Sequence, residues 1–533
     1  MSKREPIRAV KGMRDILPPE SALWCRIEDA ARAVFRAYNY QEIRTPIVEP
    51  TALFVRSVGE ETDIVGKEMY TWNDYDKDDI LFFIAFTIER IATTAPQIED
   101  TANFTRSVTD LLALLGKAQE QNRFPRDANT QLVIDEIRER NASLESGHDP
   151  VNDLPVKTRI RDLILRFRFG QSLSLRPEAT ASVMRAYIEH RLDQRTGVKK
   201  FFYMGPMFRR ERPQKGRYRQ FFQIGAEAIG SESAVIDAEI IEMLVDYLGQ
   251  LGVSGYNLLV NSVGCRNCRP AYDAALRQAL AEVKMGMCGD CQRRADTNPM
   301  RVLDCKVPAD QPVIEALPTL AGSLCDGCRA HFAEVQALLD ARKISYAITP
   351  RLVRGLDYYT RTTFEFVHGS LGAQNTLLGG GRYDGLSEDL GGPAAPGIGF
   401  SIGEDRLVLT LQDAAKDQPA AVATLPLYIA WMGEAACRRA VALARKVRDL
   451  GVAVEVAADS VKLKRSLEIA SKIGAQRVLI IGDQELADGR YQLKNMANGE
   501  QRGVSDDEML AIFAQPLNDP EVCATESDKG TTP

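Results

Sequence analysis

Hydrophobic and polar positions change period several times along the chain, and each change marks a unit. Residues 14–39 place apolar side chains at helical spacing and predict a helix leading into a strand over 42–47. Glu49-Pro50 ends that strand. A helix carrying Leu53, Val55 and Val58 follows, then a strand around residues 69–72. From Asn73 the pattern is helical. Stretches 80–92, 105–117, 131–140 and 158–167 predict four helices, the last with Ile160, Leu163, Ile164 and Phe167 on one face. The polar stretch 141–153 predicts a loop between two of them. Strand alternation resumes at Leu173, residues 265–348 read as helical, and 364–367 and 375–378 return to strand character.

Alternation is clearest over 201–230, where FFYMGPMFRRER predicts one strand and RYRQFFQIGAEAIG another, joined by Pro213-Gln214-Lys215-Gly216-Arg217. Successive side chains of a strand point to opposite faces. Phe222, Ile224, Ala226 and Ala228 therefore share an apolar face, while Arg209, Glu211, Gln223 and Glu227 share a polar one. Alternation alone describes a surface hairpin with a solvated charged face more readily than a site. The tip, with Lys215, Arg217 and Arg219, is basic and suits a nucleic-acid backbone.

Beyond an Ala/Asp/Gln/Lys-rich linker at 413–424, a small α/β unit is predicted: strands 427–431, 452–456 and 478–481, helices 435–450 and 461–473, and a hairpin turning at Asn498-Gly499. These shifts divide the chain. Core segments span 1–75, 170–262 and 349–412, separated by an insert at 76–169 and a helical insertion at 263–348. The linker 413–424, the α/β unit 425–515 and a tail 516–533 follow. The insert carries no chemistry and predicts an accessory helical module on a hairpin tip.

Composition narrows the function classes. With 45% hydrophobic and 26% charged residues the chain is a globular protein, and its 533 residues exceed one core. The net charge of −6 does not advertise a nucleic-acid partner, so such a site must be a local basic patch. The opening residues have no apolar stretch behind their charges, and the longest apolar run, 80–88, is far short of the ~20 residues a membrane helix needs. The sequence predicts a cytoplasmic protein with no membrane partner.

Five stretches concentrate reactive side chains. In Leu175-Arg176-Pro177-Glu178-Ala179-Thr180, Glu178 and Thr180 share a side and suit an ammonium group, although residues of these types also cap helices. Arg209, on the hairpin, suits a phosphate, because its planar fork binds oxygens two at a time. Arg354-Gly355-Leu356-Asp357-Tyr358-Tyr359-Thr360-Arg361 gathers charge and phenols. Gly379-Gly380-Gly381-Arg382-Tyr383-Asp384-Gly385 is a glycine run that suits phosphate or adenine, or simply a turn. In residues 396–407 alternating glycines offer a flat surface ending at Arg406. No P-loop motif is present, and the four histidines, His148, His190, His331 and His368, fall in none of these stretches.

Together these stretches resemble the ordered motifs of class II aminoacyl-tRNA synthetases. Ile43-Arg44-Thr45-Pro46 is similar to motif 1, Phe208-Arg209-Arg210-Glu211 to motif 2, and the glycine strand ending at Arg406 to motif 3. LVRGLDYYTRTTFEF and GGGRYDGL resemble the two motifs peculiar to the histidine enzymes, and KGMRDILPPE resembles their usual opening. The resemblance covers residues 7–75, 170–412 and, more loosely, 425–505, and does not cover the insert. It implies an α+β fold: an antiparallel catalytic sheet flanked by helices, helical insertions, a dimer interface built by motif 1 and a C-terminal α/β anticodon-binding domain. It implies ATP with Mg²⁺, L-histidine and tRNA(His) as substrates and partners, and a homodimer.

Residue by residue, the resemblance places Glu178, Ala179, Thr180 and Gln223 about the substrate α-amino group and Glu227 and Tyr359 on the imidazole. Tyr358 and Tyr383 line the same pocket. Arg209 falls to the ATP α-phosphate with Arg354 opposite it, Arg406 to the γ-phosphate, and Glu211 and Arg217 to the ATP site. Phe222 departs from the polar residue many relatives carry. Lys462, Lys464 and Arg465 suit RNA phosphates, or a solvated helix face. The alternative is a synthetase-like, non-catalytic histidine-binding regulatory subunit of ATP phosphoribosyltransferase, which lacks the anticodon domain and the arginines. A second alternative is a pseudo-synthetase that senses uncharged tRNA.

Seven of ten cysteines fall between 265 and 328, three pairs of them spaced C-x-x-C. Two such pairs can close a tetrahedral Zn²⁺ site, and Cys288, Cys291, Cys325 and Cys328 are the predicted ligands, set against reduced structural thiols.

Overall fold

The computed structural model describes residues 6–514 apart from 60–61, 75–79, 95–100, 122–123, 125, 147–149, 165–170, 215, 372–374 and 417–424. The described strands, in chain order, are β1 (Gln41–Glu42), β2 (Val48–Pro50), β3 (Thr71–Asp74), β4 (Gln171–Leu175), β5 (Lys199–Phe208), β6 (Gln220–Ile229), β7 (Tyr256–Ser262), β8 (Ala347–Ile348), β9 (Thr360–His368), β10 (Thr376–Arg382), β11 (Gly397–Gly403), β12 (Leu425–Trp431), β13 (Val454–Val456), β14 (Ala475–Ile481), β15 (Tyr491–Asn495) and β16 (Gln501–Val504). Two compact units result, one through Ala414 and one from Ala415.

The first unit is built on an eight-stranded sheet of order β1-β5-β6-β11-β10-β9-β7-β8, antiparallel except at its two edge pairs. Its apolar face is covered by helices Glu20–Ala37 and Ala234–Gln250. In the first, Trp24, Ile27, Ala30, Ala31, Val34 and Phe35 are buried at three- and four-residue spacing. Phe35 joins the layers, its ring 5.7 Å from both Phe202 and Phe400 and 5.5 Å from Tyr247 on the neighbouring helix. Burying one such ring stabilises the fold by about 1.5–3 kcal/mol. Ser233 caps the second helix by accepting the Val235 N–H at 3.3 Å.

Several predicted elements differ. The first helix starts at Glu20 rather than residue 14, after Pro18-Pro19, and ends where Asn39 takes a left-handed φ of 63°. The strand expected over 42–47 is split into β1 and β2 around Pro46, which has no N–H to give a ladder. Ile43 donates to Phe202 O of the large sheet, whereas Ile47 O accepts from Arg176 near β4. The loop expected over 141–153 is largely helix, within Ala128–Ser146 and Pro150–Ile164. Asn141 is buried there and donates to Thr109 Oγ1 at 3.1 Å, so its polarity marks an internal bond and not a surface.

The four helices between residues 80 and 164 share their own apolar core, including Ile91, Phe104, Val108, Leu111, Ile137 and Ile160. They sit between β3 and β4, which pair antiparallel with Asp74 opposite Gln171. The second unit is a five-stranded sheet of order β13-β12-β14-β15-β16 with helices Glu434–Arg448 and Leu463–Lys472. Helices Asp483–Asp488 and Asp506–Ala514 were not expected from the sequence. The expected linker at 413–424 falls mostly, and the tail entirely, outside the described residues. No helix among the described residues is long and apolar enough to cross a membrane.

Candidate functional site

The face of β6, β11 and β10 away from those helices forms a pocket of about 240 Å³ with two chemically distinct ends. Glu178 lines the acidic end, and Glu227 of β6 is fully buried just behind it, against the lining residue Thr180. Glu227 accepts the Thr180 hydroxyl at 2.7 Å and the Tyr383 hydroxyl at 2.6 Å. Burial raises its carboxyl to about 8, against the pull of these two hydrogen bonds. Gly399 lies opposite Glu227 in the ladder, and a Cβ there would sit 1.6 Å from Glu227 Oε2. Glycine is therefore required for the carboxylate to lie over β11.

Glu178 precedes the helix Thr180–Glu189 and accepts the N–H groups of Thr180 at 2.7 Å and Ala181 at 3.0 Å. Burial raises its carboxyl, and these two donors oppose the rise. Gln223, four residues before Glu227 on the same face of β6, has a buried Oε1 with no hydrogen-bond partner among the described residues, an acceptor able to take an N–H donor. Tyr358 and Tyr359 are buried with ring centroids 4.8 Å apart, and Tyr358 meets Tyr383 edge-on at 5.8 Å.

Arg209, Arg217, Arg354 and Arg406 line the other end. Arg209 donates Nε to Pro177 O at 3.0 Å and lies over the Phe221 ring at 5.2 Å. Arg217 meets Glu211 at 3.1 Å. Arg406 donates to Thr376 O at 2.5 Å, and burial, then the charge of Arg217, lowers its proton affinity, Glu211 opposing. Arg354 pairs with Glu365 of β9 beneath Gly379, where a Cβ would meet its guanidinium at 2.5 Å. Burial works against the Arg354 charge, but Glu365 and Tyr359 outweigh it and raise its proton affinity. The four guanidinium groups gathered at this end offer the planar forks and charge that suit a polyanion.

Most of the residues singled out in the sequence meet here, with differences. Arg209 and Glu211 lie beyond the end of β5, which stops at Phe208, although Arg209 N–H still bonds Arg219 O at 2.9 Å. Ala179 turns its methyl into the core with Val183 and Met184 and does not line the pocket. The glycine run 379–381 is the middle of β10 and not a turn. Phe222 packs edge-on to Trp24 at 5.4 Å, away from the site. Lys215 lies outside the described residues. Lys462, Lys464 and Arg465 are exposed in the second unit at the start of Leu463–Lys472.

The cysteine pairing is corrected. Cys288 and Cys291 group with Cys305 and Asp310, whereas Cys325 and Cys328 group with Cys265 and Cys268. The helical segment folds so that Cys325 follows back onto the end of β7, with Cys325 Sγ 3.9 Å from Cys265 Sγ. Sequence reasoning missed Glu365 and the Thr376 carbonyl as supports of Arg354 and Arg406. Partners 11 and 30 residues away, on other strands, leave no local signal.

Comparison with known proteins gives the family of the chain. Residues 156–407 match the histidyl-tRNA synthetase family and residues 427–515 the anticodon binding domain family. A histidine–tRNA ligase of Solibacter usitatus is 52% identical over 506 residues, 95% of this chain and 98% of its own. One of Koribacter versatilis is 48% identical over 508 residues, 94% and 95% of the two chains. The solved apo histidyl-tRNA synthetase of S. aureus superposes with a TM-score of 0.66 at 31% identity, covering 96% of this chain and 100% of that one. With such identity over nearly its whole length, the chain belongs to the histidyl-tRNA synthetase family, the ligases that join histidine to tRNA.

Proposed function

We propose that the pocket binds histidine at its acidic end and ATP at its arginine end, and that the two react where the ends meet. The observation that carries this reading is the convergence of Glu178, Thr180, Gln223 and Tyr359 with Arg209, Arg217, Arg354 and Arg406 around one cavity, with Glu227 buried directly behind Thr180. Glu178, Thr180 and Gln223 hold the α-ammonium. Glu227, already bonded to Thr180 and Tyr383, meets one imidazole nitrogen and Tyr359 the other. A buried polar pocket of this kind rejects amino acids that leave its groups unpaired.

The histidine carboxylate then attacks the α-phosphorus and pyrophosphate leaves. No covalent help from the protein is needed. Arg209 and Arg354 hold the α-phosphate from two sides and Arg406 the γ-phosphate, so positioning and fixed positive charge do the work. Mg²⁺ bound with ATP would neutralise phosphate charge alongside the arginines, and Glu211 and Asp405 are carboxylates that line the pocket beside them. In the second step a ribose hydroxyl of the terminal adenosine of tRNA(His) attacks the adenylate carbonyl, the bond from that carbon to the phosphate oxygen breaks, and AMP leaves. A homodimer in the cytoplasm belongs to the same reading, with light scattering as its check.

The regulatory-subunit alternative has no observation in its favour. The relatives matched over 95% and 94% of the chain are named ligases, and residues 427–515 match the anticodon binding domain that such a subunit lacks. The test is histidine-dependent ATP–pyrophosphate exchange with the other amino acids as controls. Exchange with histidine alone is expected, reduced about 10²–10³-fold in Arg354→Ala, the usual worth of one group stabilising transition-state charge. Histidine binding without exchange in the wild type would remove the catalytic assignment.

A further inference from the structure

The seven cysteines between 265 and 328 play no part in the pocket, yet the fold gathers all of them, with Asp310, into two separate clusters. We propose that each cluster holds one structural zinc ion. Cys265, Cys268, Cys325 and Cys328 form a four-thiolate site; Cys288, Cys291, Cys305 and Asp310 form a site of three thiolates and one carboxylate.

Spacing is the first support. Tetrahedral zinc with Zn–S bonds of about 2.3 Å sets its sulfur ligands about 3.8 Å apart. Cys265 Sγ lies 3.6 Å from Cys268 Sγ and 3.9 Å from Cys325 Sγ, and Cys288 Sγ lies 3.9 Å from Cys305 Sγ. In each cluster all four donor atoms lie within 4.8 Å of one another. An iron–sulfur cluster, with sulfide and several irons between its thiolates, needs wider spacing.

The surroundings also favour thiolates over packed thiols. Cys268, Cys288 and Cys325 occupy the N-cap positions of helices Arg269–Val283, Gly289–Thr297 and Asp326–Ala341, where the positive helix end stabilises an anionic sulfur. Backbone N–H groups point at sulfur: Cys325 N–H at Cys268 Sγ, 3.1 Å, and Val307 N–H at Cys305 Sγ, 3.4 Å. Cys325 is exposed and Cys265 only half-buried, so apolar packing does not explain why they sit together. Asp310, 2% exposed, bonds the Cys288 N–H at 3.1 and 3.2 Å and the Cys305 thiol at 3.3 Å. Neither partner is a cation, and a buried carboxylate beside three thiols calls for one.

The two ions would secure the helical segment that braces the pocket. Arg269, next to Cys268, donates to Asp357 O at 3.4 Å and to Tyr359 O. Arg301, between Cys291 and Cys305, donates to Arg354 O at 3.3 Å, and Asn298 to Asp357 Oδ1 at 3.0 Å.

The test is metal analysis of the full chain, produced in zinc-containing medium and purified without chelator. Two zinc per chain are expected, one lost in Cys268→Ser and one in Cys305→Ser. X-ray absorption at the zinc edge, which needs no variant, should fit seven sulfurs to one oxygen summed over both sites, as the two ligand sets require. Less than one zinc per chain, or iron in its place, overturns the proposal. A single zinc unchanged in Cys305→Ser overturns the second site.

Discussion

Glu227 shows how one side chain serves binding at a cost to stability. Its carboxyl is raised to about 8 from the 4.5 of an unburied glutamate, by burial first, and Glu178 is raised by burial as well. The folded protein therefore holds a proton that the unfolded chain has released between these two values. The stabilising contribution is complete below pH 4.5 and is lost as pH rises through about 8. Glu227→Gln keeps a polar group against Thr180 and Tyr383 but cannot ionise. The melting temperature of the variant should fall less than that of the wild type between pH 5 and 9, while kcat/KM for histidine drops about 10- to 100-fold, the worth of a hydrogen bond to a charged group. An unchanged slope of melting temperature with pH would show that Glu227 is ionised in the free protein. Of this residue, strand alternation discloses only which face it occupies. The bond to Tyr383, 156 residues away, and the clearance at Gly399 depend on β6, β11 and the turn after β10 coming together.

Elements were legible where one face is apolar and the other polar. β6 reads correctly because Ile224, Ala226 and Ala228 alternate with Gln223 and Glu227, although both faces are buried. β10 does not, since Gly379, Gly380 and Gly381 look like a turn; in the central strand of a crowded sheet they leave room for Arg354 and for neighbouring backbone. Arg382 at the end of β10 was equally hidden. It is fully buried, donating Nε to Asp237 at 2.8 and 3.0 Å and its other nitrogens to Ser231 O, Ser233 O and Asp384. The pair ties the end of β10 to the helix Ala234–Gln250. Removing one member of such a pair leaves a buried charge unmatched. Arg382→Ala should cost about 3–5 kcal/mol in urea unfolding of the catalytic unit. Asp237→Leu in the Arg382→Met background should recover most of it, because an apolar pair carries no desolvation penalty. A single-variant loss below about 1 kcal/mol would mean that water reaches the site, contrary to its burial.

At the scale of the whole molecule, changes of period mark where units begin, but not how they are used. Residues 80–164 build a core of their own, from Ile84 and Phe104 to Leu163. Both chain crossings into this module pass through one antiparallel pair, with Asp74 opposite Gln171 and Asn73 opposite Ser172. A module entered and left at neighbouring ends of a hairpin can be removed without changing the register of the strands that remain, because a two-residue Asn-Gly turn closes such a pair. β4 leads directly to Glu178 and Thr180, so the pocket senses any loss of register at once: a one-residue slip would turn Ser174, now buried and bonded to Thr51 and Thr71, to the opposite face. Replacement of residues 75–170 by Asn-Gly should therefore leave histidine-dependent pyrophosphate exchange within about threefold of the full chain, the range of a minor local adjustment of about 0.6 kcal/mol. Transfer to tRNA, measured on the same preparation, then reports what the module contributes beyond the adenylation site. Loss of exchange in a folded, monodisperse deletion variant would show that the module supports the pocket itself.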